Sequence, residues 1–367
     1  MTVDTKGRLA RLRERMSAEG VDLVALAPGA HMDWLVGFSP LLCERPCLLL
    51  VGPEREAFLM PALNAEGSRE STEIPFHVWA DDVGPKTAFL EALAEVEATG
   101  ARHVAFDETM RIDFAMLLLD ALPAAKRSFT DDTLSYLRMR KDAREYAALK
   151  KNALIADRAM QAGFAAIRPG MTESELAAIL GEHFASENAP MQFAVVAAGP
   201  NGAFPHHHTG DRKLAEGDAV VIDIGGRTDG FPSDITRMAI VGSAPEGYGQ
   251  IHSIVEKAVQ AALKAAVPGA LARDVDQAAR KVITDAGYGE YFVHRTGHGM
   301  GIGGHEPPYI TATSETVLAE GMVFSIEPGI YIPGRFGLRL EDIVIVRADG
   351  AEILSGLPRD VHVAAAG

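Results

Sequence analysis

Four carboxylates and one imidazole, Asp223, Asp234, His298, Glu327 and Glu341, each lie in or beside an apolar, glycine-punctuated run in the C-terminal half of a 367-residue chain. A fold that buries those runs buries the acids with them. Unpaired carboxylates in an interior cost several kcal/mol each, so such a chain needs a counter-charge. Two divalent cations balance four carboxylates and a neutral imidazole, and a dinuclear metal site is the expectation.

Local spacing supports it. Asp223 ends the run Ala219-Val220-Val221-Ile222, and Asp234 follows the turn-rich stretch Gly225 to Gly230, so the two read as arms of a β-hairpin. A turn centred between Thr228 and Asp229 sets 223 directly opposite 234. Downstream, Glu327 closes Met322-Val323-Phe324-Ser325-Ile326 and Glu341 opens Ile343-Val344-Ile345-Val346, with Pro333, Gly334 and Gly337 between them. Pairing about Gly334 opposes the two glutamates. Like charges facing each other weaken a sheet, so two such pairs in one chain ask for a ligand. One acid alone at a strand end is commonly a solvated cap.

His298 lies in Thr296-Gly297-His298-Gly299-Met300-Gly301-Ile302-Gly303-Gly304-His305-Glu306-Pro307, with five glycines between 297 and 304. Such a loop lets backbone approach another group closely. No Lys follows the glycines, and their spacing fits neither a phosphate loop nor a dinucleotide fingerprint. His294, His298 and His305 together favour metal and proton chemistry.

These residues resemble the pita-bread metallopeptidases, the group containing methionine aminopeptidase, aminopeptidase P, prolidase and the metal-free creatinase. The motifs are the first Asp, the Asp of Ser233-Asp234-Ile235-Thr236-Arg237, the His of Gly-His-Gly, the Glu of Ile326-Glu327-Pro328-Gly329 and the Glu of Arg339-Leu340-Glu341-Asp342. The resemblance implies that Asp223, Asp234, His298, Glu327 and Glu341 bind two metal ions. It further implies that His206, in Phe204-Pro205-His206, contacts substrate and stabilises the intermediate, with His207 and His208 facing solvent. His305 is the second such histidine. His294, Tyr331 and Arg339 match the proline-specific branch, as a subsite wall, a hydrogen-bonding group at the centre and a partner for a substrate carboxylate.

A metal pair supplies Lewis acidity and a water acidic enough to ionise near neutral pH. Glu327 is then the expected general base, with His206 and His305 polarising the carbonyl. A donor set rich in oxygen with one imidazole suits manganese, while cobalt, iron or zinc also fit in vitro.

The composition fits a soluble enzyme of two domains: 47% of the chain is hydrophobic. A net charge of −15 argues against nucleic-acid binding. Only Cys43 and Cys47 are present, which reads as buried free thiols. Residues 1–12 lack a signal-peptide pattern, and no apolar run approaches the roughly 20 residues that span a bilayer. Cytoplasm is the expected compartment.

A first domain, residues 1–134, alternates helical spacing over 6–18 with strand-like runs at Val21–Leu26, Cys47–Val51, Ala57–Met60 and His103–Phe106, an α/β pattern that resembles the creatinase N-terminal domain. Trp34 and Trp79 read as core or interface aromatics. The catalytic pita-bread domain, α+β over 135–367, opens on a helix from Asp142 to Ile167, with Glu145 placed as the cap's partner, and a second from Thr172 with Glu175 in the same relation. Helices over 248–267 and 273–286 then repeat the order, each pair broken by Pro-Gly and followed by an acidic hairpin. The repetition predicts two related halves around a central site.

The leading function is a homodimeric metallopeptidase acting on a small peptide before proline, an Xaa-Pro dipeptidase. Alternatives are aminopeptidase P on longer peptides, an ectoine-derivative hydrolase or sulfonium lyase on the same scaffold, and a catalytically dead binding module. The last would have lost ligands, and all five are present; His206 and His305 favour peptide hydrolysis.

Overall fold

The apolar tetrad Leu23–Leu26 and its neighbours build the first of two compact units, Met1–Arg138 and Met139–Gly367, in a computed structural model that describes residues 3–366. In the first unit β1 (Leu23–Leu26), β2 (Leu48–Val51), β3 (Glu56–Pro61), β4 (Phe76–Trp79), β5 (His103–Phe106) and β6 (Lys126–Phe129) form one sheet in the order β4-β3-β2-β1-β5-β6. Its helices are α1 (Thr5–Glu19), α2 (Ala30–Val36), α3 (Ala62–Arg69), α4 (Lys86–Glu95), α5 (Ile112–Ala121) and α6 (Leu134–Arg138). Leu23, Leu48, Leu59, Phe89, Phe114 and Trp79 share its core, and Trp34 is buried under the Arg8 guanidinium. The strands β4 and β6 escape sequence reading because they are the sheet's edges: only Trp79 is buried in one and no residue in the other. Cys47 is buried beside Met60, whereas Cys43 is only half-buried, and both are free thiols.

The second unit begins with α7 (Ala143–Ala166) and α8 (Glu173–Ser186), each started by a reciprocal cap, Asp142 with Glu145 and Thr172 with Glu175. Both helices cover the sheet β18-β10-β8-β7, made of β7 (Met191–Ala198), β8 (Ala219–Thr228), β10 (Ile235–Val241) and β18 (His362–Ala364), with the short β9 (Phe231–Pro232) on β8. A second helix pair, α9 (Tyr248–Ala265) and α10 (Ala272–Asp285), precedes the sheet β12-β11-β13-β16-β17. Its strands are β11 (Gly297–Gly299), β12 (Glu306–Ile310), β13 (Val323–Ile326), β16 (Asp342–Arg347) and β17 (Gly350–Ile353). The hairpin β14 (Gly329–Ile332) and β15 (Phe336–Arg339) extends β13 and β16.

The two halves repeat down to individual hydrogen bonds. Gly170 N donates to Leu214 O at 2.8 Å, and Gly269 N to Leu318 O at 2.8 Å; Gly217 N donates to Val241 O at 2.8 Å, and Gly321 N to Val346 O at 2.9 Å. At the centre Thr236 and Glu341 form an antiparallel bridge between the halves.

The hairpins differ in register. In the second half Ile326 pairs with Asp342 and Gly329 with Arg339, a register centred on Gly334 that brings Glu327 opposite Glu341. In the first half Asp223 pairs with Thr236, not with Asp234, because the turn is Asp229-Gly230 rather than Thr228-Asp229. Both turn residues have positive φ, 54° and 83°, the geometry that follows strand twist in a two-residue hairpin. Asp223 and Asp234 are therefore diagonal neighbours on one face instead of a facing pair.

Arg237, fully buried, ties β10 to β16. Its guanidinium donates to Asp342 Oδ1 at 2.7 Å, to Glu341 O at 2.5 Å, to Leu357 O at 2.6 Å and to Pro358 O at 2.9 Å. Arg237→Met should lower the free energy of unfolding by about 3–5 kcal/mol, since it strips buried acceptors of their donor. Urea denaturation checks this, and a loss below about 1 kcal/mol would show that the two halves hold together without the clamp.

Candidate metal centre

Every sequence-predicted ligand comes from the second unit, and the structure brings all five together. Asp223 lies on β8, Asp234 just before β10, His298 at the middle of β11, Glu327 just after β13, and Glu341 between β15 and β16. Donor atoms of Asp223, Asp234 and Glu341 lie within 4.8 Å of one another, as do those of His298, Glu327 and Glu341. Glu341 thus belongs to both groups. The donor atoms of Asp234, His298 and His305 form a third such group.

His298 reaches the cluster because glycine flanks it. A Cβ on Gly297 would sit 1.8 Å from the Ser325 carbonyl oxygen, and one on Gly299 2.3 Å from that of Pro307. Only bare backbone lets β11 slot between β12 and β13. His298 Nδ1 donates to Gly299 O at 3.1 Å, which leaves the Nε2 lone pair facing Asp234 Oδ2 and Glu327 Oε1, each 3.6 Å away. Burial, then the neighbouring His305, push its pKa down to about 3, so the ring is neutral.

The carboxylates carry the opposite strain. Burial, then the charges of Asp223 and Glu327, raise Asp234 well above the ordinary range. Burial, then Asp234, Glu327 and Asp223, do the same to Glu341. Burial pushes Glu327 up to about 7 against the pull of Arg339 and a hydrogen bond from Ser325. Asp223 Oδ1 is buried with no hydrogen-bond partner. An orphaned carboxylate oxygen, three further acids and an imidazole lone pair, all converging, are what a pair of divalent cations satisfies; the residues fit that group.

Around the acids runs a chain of hydrogen bonds. The Arg339 guanidinium meets Asp223 Oδ2 at 2.5 Å, Tyr331 OH at 2.7 Å, Thr236 Oγ1 at 3.1 Å and Pro205 O at 3.4 Å. His294 Nδ1 donates to Arg295 O at 2.7 Å, so its Nε2 accepts from Tyr331 OH at 2.8 Å. Burial, then Arg339, push the His294 pKa down to about 4, in keeping with that neutral tautomer. Tyr331 is pushed up to about 12, chiefly by burial.

A cavity of about 570 Å³ opens onto the centre. Its wall includes the five acid and imidazole positions together with His206, His294, His305, Arg339, Pro205, Phe193 and Val195. The His305 ring packs edge-on against His298, centroids 3.9 Å apart. Tyr331 is not on the wall and touches it through His294 and Arg339. His208 is exposed as expected, but His207 is not solvent-facing: its Nε2 donates to the fully buried Glu173 at 2.8 Å.

Several contributors went unread in the sequence. Ser325 accepts from His298 N and donates to Glu327 Oε1, both at 2.9 Å, and Thr236 donates to Glu341 Oε2 at 2.7 Å. The signal for Ser325 was its place two residues before Glu327, on the same strand face. Arg295 lines the cavity with its guanidinium over the Tyr309 ring, and nothing in the sequence marks it.

The chain is similar to known proteins along nearly its whole length. The model for metallopeptidase family M24 matches residues 147–348, and that for the creatinase/prolidase N-terminal domain matches 8–140. A probable dipeptidase PepE of Mycobacterium tuberculosis is 38% identical over 97% of this chain and 96% of its own. An Xaa-Pro dipeptidase of Pyrococcus horikoshii is 32% identical over 96% of this chain and 98% of its own. Among solved structures, the dipeptidase PepE from Mycobacterium ulcerans superposes with a TM-score of 0.94 at 36% identity, covering 100% of both chains. A prolidase from Thermococcus sibiricus gives 0.91 at 34% identity, over 99% of this chain and 100% of that one.

Mutual repulsion among the acids has a thermodynamic signature. At pH 8 in chelator, Glu341→Gln should be more stable than the unchanged protein, because a carboxyl whose folded pKa is raised penalises folding wherever the unfolded group is ionised. The gain should vanish below about pH 4, where the group is protonated in both states. Excess manganese should raise the melting temperature of the unchanged protein more than that of the variant. Thermal melts across pH check both signs.

Proposed function

Because the chain belongs to metallopeptidase family M24, a metal-dependent family, we propose that it hydrolyses the peptide bond before proline in Xaa-Pro dipeptides with two divalent ions held by Asp223, Asp234, His298, Glu327 and Glu341. The observation that carries the proposal is the pair of three-donor groups sharing Glu341, one all-oxygen and one with the His298 imidazole. When bound, such ions polarise a carbonyl and lower the pKa of water.

The remaining chemistry belongs to the chain. Glu327, a carboxylate on the cavity wall, is placed to take the proton of the attacking water and return it to the leaving nitrogen. Ser325 holds the carboxylate by its Oε1. His206 and His305, both on the cavity wall, donate to the oxygen on which charge develops. His294 is neutral with its Nε2 taken by Tyr331, so it serves as a wall of the subsite that accepts proline. The apolar Phe193 and Val195 flank the same space.

The oxygen-rich donor set supports manganese as the working ion. Two free thiols support a reducing compartment, the cytoplasm. No described helix is long and apolar enough to cross a membrane. The homodimer is proposed from the family resemblance.

Dialysis against chelator should abolish hydrolysis of Xaa-Pro dipeptides, manganese should restore it, and elemental analysis of the restored protein should find two ions per chain. Glu327→Gln should lower kcat roughly a hundredfold or more when saturated with manganese. Turnover within a few-fold of the unchanged protein would remove Glu327 from the role of base.

Dipeptide preference rests on a cation for the free carboxylate. Arg339 is assigned that contact, although its bond to Asp223 gives it a scaffolding part as well. Arg339→Met should raise KM for Xaa-Pro acids roughly ten- to a hundredfold more than for Xaa-Pro amides, the worth of a charge-assisted bond. Equal losses on both would reduce Arg339 to holding Asp223. The same comparison in Arg295→Met then tests the other guanidinium on the wall.

A further inference from the structure

The segment from Ala198 to Gly210 brings Pro205 and His206 to the cavity wall with only one 3-10 turn, Gly199–Ala203, for regular structure. Its anchors converge on Glu173, the first residue of α8, whose side chain has 0% exposure. Oε1 accepts from Ala198 N at 2.8 Å and Asn201 Nδ2 at 2.9 Å; Oε2 accepts from His207 Nε2 at 2.8 Å and Gly210 N at 3.2 Å. A carboxylate offers about four lone-pair directions, and four donors fill them. The charge also sits in the first turn of a helix, where unpaired N–H groups favour an anion.

These donors bracket His206 on both sides. Two come from residues before it and two from residues after it, and the adjacent His207 turns inward to Glu173 while His206 lines the cavity. The backbone reinforces the far end: Ser174 N and Oγ both donate to Gly210 O, at 3.0 and 2.8 Å. Arg339 Nη1 reaches Pro205 O from the opposite side.

We propose that Glu173 is a positioning residue that sets His206 for its contact with substrate, an inference that rests on the role given to His206 above. It touches neither substrate nor the acid cluster. Its work is to replace the conformational freedom of a loop by four charge-assisted bonds, so the imidazole is aimed before substrate arrives. A glutamine of the same shape fails in this place. It has one acceptor oxygen, so its NH2 group would confront an obligate backbone donor, Gly210 N on one side or Ala198 N on the other.

The test is a double-mutant cycle in the manganese-loaded enzyme with an Xaa-Pro dipeptide, reading kcat and KM for Glu173→Gln, His206→Ala and the pair. Glu173→Gln should lower kcat about tenfold with KM changed less than about threefold, and should lower it no further once His206 is alanine. Hydrogen exchange should quicken at the amides of 198–210 while the helices keep their protection. Additive losses in the pair, or unchanged kcat in Glu173→Gln where His206→Ala is strongly impaired, would overturn the positioning role alone. Unchanged kcat in His206→Ala would overturn the assignment of His206 and the inference with it. Should Glu173→Gln fail to fold, His207→Ala removes one donor from a half-buried position and carries the same cycle with a several-fold loss.

Discussion

Arg237 leaves β10 with no exposed surface and divides its donors among the Glu341 carbonyl, the Asp342 carboxylate and the carbonyls of Leu357 and Pro358. Removing a guanidinium and a carboxylate from water is expensive, and an apolar pair of the same volume often does as well for stability. What apolar side chains lack is direction. The clamp adjoins the bridge of Thr236 with Glu341 between the two halves, and so fixes how far the acids of one sheet stand from those of the other. Arg359 meets the second oxygen of Asp342 at 2.6 Å and steadies the clamp from behind.

The repeated halves explain why the centre is not symmetric. Equivalent hydrogen bonds make Asp223 the counterpart of Glu327 and Thr236 that of Glu341. Two residues earlier on each return strand, Asp234 corresponds to Arg339. One half thus contributes an acid where the other contributes a base, and the base pairs with Asp223 across the repeat. A centre with six acids would repel itself beyond what two cations offset; replacing one acid by Thr236 and another by Arg339 brings the count to four.

Much of this was legible because the informative residues break local rules. Acids inside apolar strands and glycines around His298 conflict with ordinary sheet sequences, and such conflicts collect at functional sites. The caps at Asp142 and Thr172 and the glutamate register about Gly334 were also readable, each being a local device. The aspartate register was not, since Thr228-Asp229 and Asp229-Gly230 both look like turns and only strand twist selects the second. His207 and Glu173 meet across 34 residues, and Arg295 carries no motif at all. The parts given to His206, His294 and Tyr331 came from the family resemblance, because spacing alone says nothing about which histidine faces a cavity.

The three residues Pro333-Gly334-Arg335 joining β14 to β15 look like an ordinary surface connection, the kind of place where chains usually accept insertions. Here the register that opposes Glu327 and Glu341 is counted from that connection. One added residue, if the strands slid to absorb it, would turn every side chain of the return strand to the other face, carrying Glu341 and Arg339 out of the centre. Two would restore the face but shift the pairing by a step. The length of this loop is therefore as much a part of the acid cluster's geometry as the acids themselves, and a reader of related sequences should find gaps in many places before finding one there.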